Sequence, residues 1–464
     1  MMQLDYIFIL IYFIIMLYIG RLASKRVFSK GDYLLAGKRV GKIPTALSTA
    51  ATDFGGAGLI GAAGLAYSKG IAGGWWNFCA IPALMILGVT LAKLYRKLEI
   101  STVPEYLEKR YDLKTRILAA ILHLIGTIFA IAAQTIVASM VITTITGIPK
   151  NYAVLTATLV FVAYTTAGGL IAVIWTDIFA YLVLMLGLIA ALIFSIINIG
   201  GLSNVVNNTP PSFWNMSSIG WMEPAAWIGM NFFWYSTKQY FVQRLLAAKD
   251  DETAQFAYVY TGINYIIYGL IVALLGICAY IIVPGIENPE MAIPSIVKYA
   301  VPVGLRGILL ASILAATMSS SSSYLNACAS IFTIDIYKRI INPSANDIKC
   351  LLVARWSTVI IAIIALFASY FTKGVIEMVV FANIIYSACI FFPIILGIKT
   401  RLISTRGAFY SIIVGGTVAV ISKFWLYQKV EGILGDIHPM FMSSIASLII
   451  LLSISIIANN MKKD

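Results

Sequence analysis

Apolar runs of roughly 20 residues recur from Tyr6 almost to Met461, separated by short segments that collect the charges and the Gly and Pro residues. A run of that length spans a hydrocarbon core of about 30 Å as a helix and is too long and too continuous for a barrel strand. Cutting the chain at its charged and Gly/Pro-rich segments predicts about thirteen spans. They begin near residues 5, 44, 73, 116, 151, 169, 223, 255, 306, 351, 374, 407 and 440. The expected fold class is all-α, a polytopic membrane protein with one membrane domain over residues 1–464. The first run, Tyr6 to Ile19, lacks the basic head and small-residue cleavage site of a signal peptide and is expected to remain as the first helix.

Three spans break the pattern. The second reads Pro44-Thr-Ala-Leu-Ser-Thr-Ala-Ala-Thr-Asp-Phe-Gly-Gly-Ala-Gly-Leu-Ile-Gly61, which sets Asp53 beside Gly55, Gly56 and Gly58 near mid-membrane. Glycines relax a helix and a carboxylate is expensive in lipid, so a helix break lining a polar cavity is one reading. Close helix packing at the glycines, with Asp53 protonated or capping a neighbour, is the other. The ninth span carries five consecutive hydroxyls, Ser319 to Ser323, and Ala316, Ser319, Ser320 and Ser323 share one helix face. A lone serine in a membrane bonds back to its own helix. Five beside an alanine-rich stretch instead suggest neutral oxygens for a hard cation such as sodium. In the sixth span Asp177 lies about ten residues deep, with no basic residue within two turns along the helix. It is expected to be protonated or neutralised by a bound cation.

Composition agrees with lipid as the solvent: 60% of the 464 residues are hydrophobic, 11% are charged, and the mean hydropathy is +0.90. The net charge of +13 does not imply nucleic acid, because the Lys and Arg residues sit in short segments between spans. They concentrate in the segments facing the cytoplasm if the N-terminus is outside and the C-terminus inside, the orientation that the positive-inside rule favours. Arg244 to Lys249 is counted among those cytoplasmic segments. Lys238, left inside a span, is expected to snorkel to the cytoplasmic face, the alternative being contact with an anionic solute. The five cysteines are scattered without CxxC spacing and are expected as small buried residues. No HExxH, GxSxG or P-loop occurs, so no covalent chemistry and no cofactor is expected.

Five stretches in order resemble the sodium:solute symporter family, the group of sodium/proline, sodium/galactose, sodium/pantothenate and sodium/sialic acid carriers. They are Asp32-Tyr-Leu-Leu-Ala-Gly-Lys-Arg39, Thr102-Val-Pro-Glu-Tyr-Leu-Glu-Lys-Arg-Tyr111, Gly168-Gly-Leu-Ile-Ala-Val-Ile-Trp-Thr-Asp177, Gln243-Arg-Leu-Leu-Ala-Ala-Lys249, and Leu309 to Arg339. The resemblance implies an inverted five-plus-five repeat, 44–200 and 223–398, after an extra helix at 5–22 and before two C-terminal helices at 407–460. It implies a principal sodium site from Ala51, Phe54, Ala316, Ser319 and Ser320. It implies a candidate second sodium site from Asp177, Ser320, Ser322 and Ser323, and a sodium-linked role for Asp53 as in the proline-carrier branch.

The solute end has less to read. The carboxamide and acid of sugar carriers are absent from the second and third spans, where Ala57, Gly58, Trp75, Trp76 and Asn77 stand. The arginine that anion-binding members carry after a glutamine is missing after Gln134. Trp75, Trp76, Asn77, Gln134, Asn231, Trp234 and Tyr235 remain as pocket candidates, aromatic faces and amides suited to a small, partly apolar solute. Any one of these aromatics is as readily a packing or interface residue. The expected function is sodium-coupled uptake of a small organic solute (an amino acid such as proline, a monocarboxylate or a vitamin) across the plasma membrane by alternating access. No protein partner is implied. A sensor or channel on the same scaffold is the first rival, disfavoured because the sequence closes at Asp464 without an appended domain. A membrane-embedded enzyme using Asp53 and Asp177 as an acid/base pair is the second.

Overall fold

Helix ends follow local chemistry. In the computed structural model, which describes residues 3–25, 30–371, 374–427, 429 and 437–461, the side chains of Asp112, Asp250, Asn346 and Ser404 each accept from a backbone amide three residues on. They open α5 (Leu113–Thr146), α9 (Asp251–Ile282), α11 (Asp347–Tyr370) and α13 (Thr405–Ile421) of the scheme that follows. Before α5 come α1 (Gln3–Ser24), α2 (Lys42–Asp53), α3 (Ala62–Lys69) and α4 (Ala80–Thr90). Between α5 and α9 lie α6 (Lys150–Ile199), α7 (Met222–Thr237) and α8 (Gln239–Ala247). The remainder are α10 (Leu305–Ile331), α12 (Val375–Lys399) and α14 (Pro439–Asn460).

Ten helical stretches among the described residues are long and apolar enough to cross a membrane, against the thirteen spans expected. The difference lies where helices are interrupted. The second expected span is split at Phe54, whose φ/ψ of −74°/41° ends α2, before a π-helical turn over Ala57–Gly61 leads into α3. The seventh is cut at Lys238, which has extended backbone (φ −74°, ψ 123°) between α7 and α8. The fifth and sixth run together as α6, bent at Gly169 with φ +57°. A Cβ at Gly169 would stand 2.5 Å from the Tyr33 ring, so the bend needs glycine for its conformation and for space.

The bundle is layered by burial. In α10 94% of the most apolar window is buried, against 17% in α1. The helix with the serine run is thus the axis, and α1 presents its apolar face to lipid. Asp5 of α1 is nonetheless buried, accepting from the Gly304 and Gly307 amides at 2.8 and 3.1 Å and so satisfying orphan donors at the start of α10. The five cysteines are free and buried. A two-way backbone link joins Val40, just before α2, to the end of α8: Val40 N to Ala247 O at 3.1 Å and Lys249 N to Val40 O at 2.9 Å. It fixes α8 against the foot of α2.

Candidate functional site

The break in α2 and the serine face of α10 meet. Across the break the Gly56 amide donates to Gln134 Oε1 of α5 at 2.9 Å instead of continuing the helix. The Thr52 carbonyl thus freed accepts from Ser320 Oγ at 2.9 Å. A Cβ at Gly55 would fall 2.3 Å from Ser320 Oγ, so glycine permits this approach. Ala51 and Phe54 lie next to the freed carbonyl along the chain, and of the three α10 residues expected here Ser320 alone has its side chain bonded to the break, while the Ser319 hydroxyl turns to Asp177; all five residues are buried. These are neutral oxygens around an interrupted helix, the donor set that a hard cation of sodium's kind takes.

One turn away the structure departs from expectation. Asp177 is not an unpaired acid: its Oδ2 pairs with Arg244 Nη2 of α8 at 3.0 Å, with the side chains 0% and 1% exposed. Arg244 is therefore not a loop charge; the Val40 link turns all nine residues of α8 into the interior. The guanidinium also donates to Ser323 Oγ at 2.8 Å, to Ser48 Oγ and carbonyl at 3.1 and 3.2 Å, and to the Tyr240 carbonyl at 2.7 Å. Asp177 further accepts from Ser48 at 2.6 Å and Ser319 at 2.5 Å. Of the residues expected around a second ion, Ser323 thus faces Asp177 through Arg244, Ser320 faces the α2 break, and Ser322 is turned onto its own helix, donating to the Ser319 carbonyl at 2.9 Å.

Beside the break, a cavity of about 50 Å³ is lined by Asp53, Trp76, Asn77, Gln134, Asn231, Trp234 and Tyr235, among others. Six of the seven pocket residues expected from sequence are among them. Trp75 is the exception: its indole donates to the Met216 carbonyl at 2.9 Å and its ring packs on Trp221, because the tight turn over Gly70–Gly74 rotates it into the loop layer. Tyr235 donates to Asp53 Oδ2 at 2.5 Å, and Asn77 donates to the Gly58 carbonyl at 3.0 Å, bracing the broken helix from α7 and from the turn before α4. Tyr265, Tyr324 and Asn383 also line the cavity and were not singled out in the sequence. Asn383 had a signal, an amide in an otherwise apolar stretch, whereas the tyrosines were two among 25. Asp53 and Asp177 have separate partners and only Asp53 lines the cavity, so the two do not form the acid/base pair of the enzyme alternative.

Lys238 does not snorkel. It is 0% exposed, its Nζ donates to the Ala382 carbonyl of α12 at 3.2 Å, and it lies 5.2 Å from the Trp234 ring and 4.9 Å from the Tyr386 ring.

Known proteins resemble this chain in sequence and in fold. Residues 33–415 match the sequence model of the sodium:solute symporter family. A sodium/glucose cotransporter of Vibrio parahaemolyticus is 28% identical over 435 residues, covering 85% of this chain and 80% of that one. The high-affinity proline transporter PutP of Bacillus subtilis is 26% identical over 462 residues, covering 93% and 94%. Among solved structures, the substrate-bound outward-open state of a Na+-coupled sialic acid symporter aligns with a TM-score of 0.85 over 98% of both chains at 21% identity. The nucleobase-cation-symport-1 transporter Mhp1 aligns at 0.62 over 92% and 94%, with 15% identity. At these identities the structural likeness is one of fold.

Proposed function

The chain belongs to the sodium:solute symporter family, and on that premise we propose that it takes up a small organic solute, an amino acid such as proline, a monocarboxylate or a vitamin, with sodium by alternating access. The carrying observation is the meeting of the α2 break with the serine face of α10, Thr52 carbonyl to Ser320 Oγ; Ala51, Phe54, Ala316 and Ser319 are proposed to complete the sodium shell there. Sodium held there ties the two helices together and favours the solute-binding state facing outside, and rocking of one repeat, 44–200, against the other, 223–398, loosens the shell. The solute cavity opens beside the same break, so ion and solute share Asp53 and its Tyr235 contact as a common wall.

One sodium per cycle follows from Arg244, whose guanidinium stands among Asp177, Ser48 and Ser323, where a second cation would need those same oxygens. Entry of one positive charge yields about 2.3 kcal/mol per 100 mV. The orientation proposed is N-terminus outside and C-terminus cytoplasmic, in the plasma membrane, which puts the basic segments inside. The test is uptake of labelled amino acids, monocarboxylates and vitamins into proteoliposomes with and without an inward sodium gradient. At least one solute is expected to accumulate only with the gradient; uptake of every accepted solute independent of sodium would refute the coupling.

A further inference from the structure

Lys238 is a charge without a structural use to match its cost. It sits where the backbone leaves α7 and before it re-forms as α8, fully buried. Its ammonium carries three donors and makes one hydrogen bond, to the Ala382 carbonyl. Among the described residues it forms no ion pair; the fully buried ion pairs belong to Arg244 and Arg116. Next to it, His123 of α5 is 0% exposed with neither ring nitrogen hydrogen-bonded, its ring edge-on to the same Tyr386 ring that Lys238 lies over, 4.6 Å between centroids. The Tyr240 ring packs on Trp234 and on Tyr324 beside them. A buried ammonium in lipid with unused donors, among buried polar atoms that lack partners, is the arrangement of a site that meets an anion in another state of the cycle.

Its position says which anion. Trp234 is the common wall: its ring lines the solute cavity, and Lys238 Nζ lies 5.2 Å from that ring. On α12, Asn383 lines the cavity while Ala382 and Tyr386 contact Lys238. On α5 the cavity residue Gln134 is eight residues from Gly126, against which Lys238 Nζ packs, about 12 Å at 1.5 Å per residue. The displacement is towards the Leu113 end of α5, the end assigned to the cytoplasm. Among the described residues, no basic side chain lines the cavity.

We propose that Lys238 is a solute-binding residue that receives the solute's carboxylate as it passes Trp234 on leaving the cavity, so that the accepted solute is a carboxylate. A neutral solute can accept from the unused Nζ donors but leaves the buried positive charge uncompensated, whereas a carboxylate neutralises it, which is how such a site discriminates. This rests on the symport reading above.

The test uses the purified full chain and its thermal unfolding in sodium, with L-proline, pyruvate and pantothenate each set against its uncharged-carboxyl counterpart, prolinamide, pyruvamide and panthenol, and with myo-inositol and choline added. At least one carboxylate is expected to raise the unfolding temperature in sodium while its counterpart does not. Lys238→Met is expected to weaken that carboxylate's apparent affinity at least tenfold, and Lys238→Arg to restore part of it. The shift that sodium alone produces stays in Lys238→Met, which shows that the variant is folded. Acceptance of only neutral or cationic members, no response to any carboxylate, or unchanged affinity in Lys238→Met overturns the proposal. Sodium-dependent binding of a neutral or cationic compound would leave the symport reading standing, whereas the absence of any sodium-dependent response would remove that reading too.

Discussion

Arg244 and Lys238 lie six residues apart on either side of the start of α8, both 0–1% exposed, yet they live in opposite surroundings. All three guanidinium nitrogens are engaged, by Asp177, Ser323, Ser48 and the Tyr240 carbonyl. The ammonium has one carbonyl and two aromatic faces. A rigid planar fork with every nitrogen engaged fixes three elements in one geometry, α2, α6 and α10, while a flexible amine with donors to spare is ready for a partner that comes and goes. In the function proposed above, the first group organises the sodium site and the second lies on the solute's path.

The comparison breaks most readily by deletion. Arg244→Ala leaves Asp177 buried and uncompensated and is expected to lower stability by about 3–5 kcal/mol, read as thermal unfolding of the purified protein. Adding Asp177→Asn should recover part of that loss. Next in size, Ser320→Ala removes the hydroxyl that meets the broken helix and should raise the sodium concentration for half-maximal transport about tenfold, or about 1.4 kcal/mol. Ser322→Ala, whose hydroxyl serves its own helix, should change it little. Lys238→Met should have the opposite sign to Arg244→Ala: removal of a buried unpaired charge raises the unfolding temperature, by on the order of 1 kcal/mol, even as solute affinity falls. A loss of stability as large as that of Arg244→Ala would make Lys238 a structural tether instead.

The smallest effect is expected outside the membrane core, in the loop helix that carries Glu108. Arg339, at 2.6 Å, and Arg116 hold its carboxylate below the usual range, so its contribution is present above the ordinary carboxylate pKa of about 4.3 and is lost only as pH falls through its lower folded value. Glu108→Gln should therefore cost at most about 1 kcal/mol at neutral pH, measured as a shift in unfolding temperature, and less still at pH 3.

What sequence reveals here depends on how far a residue's role is local. The serine face of α10 and the glycine-rich break after Asp53 are written into helical spacing and composition, and both stand where the pattern put them. The role of Arg244 is not local. Hydropathy sees a charge at the end of a short apolar stretch, whereas a backbone link from Val40 folds α8 inward and brings the guanidinium to an acid 67 residues earlier. Lys238 departs from the snorkelling expectation for a related reason: the chain is interrupted at its own position, and its side chain turns inward to the Ala382 carbonyl. Trp75 turned away from the cavity because of a glycine turn whose rotation no periodicity records.

The most direct measurement of the account is entry of radioactive sodium into proteoliposomes holding the full chain, with and without an accepted solute outside. Solute is expected to accelerate sodium entry, with one sodium entering per solute molecule, and the acceleration is expected to be lost in Ser319→Ala/Ser320→Ala. Sodium entry indifferent to every solute that the protein carries would contradict it.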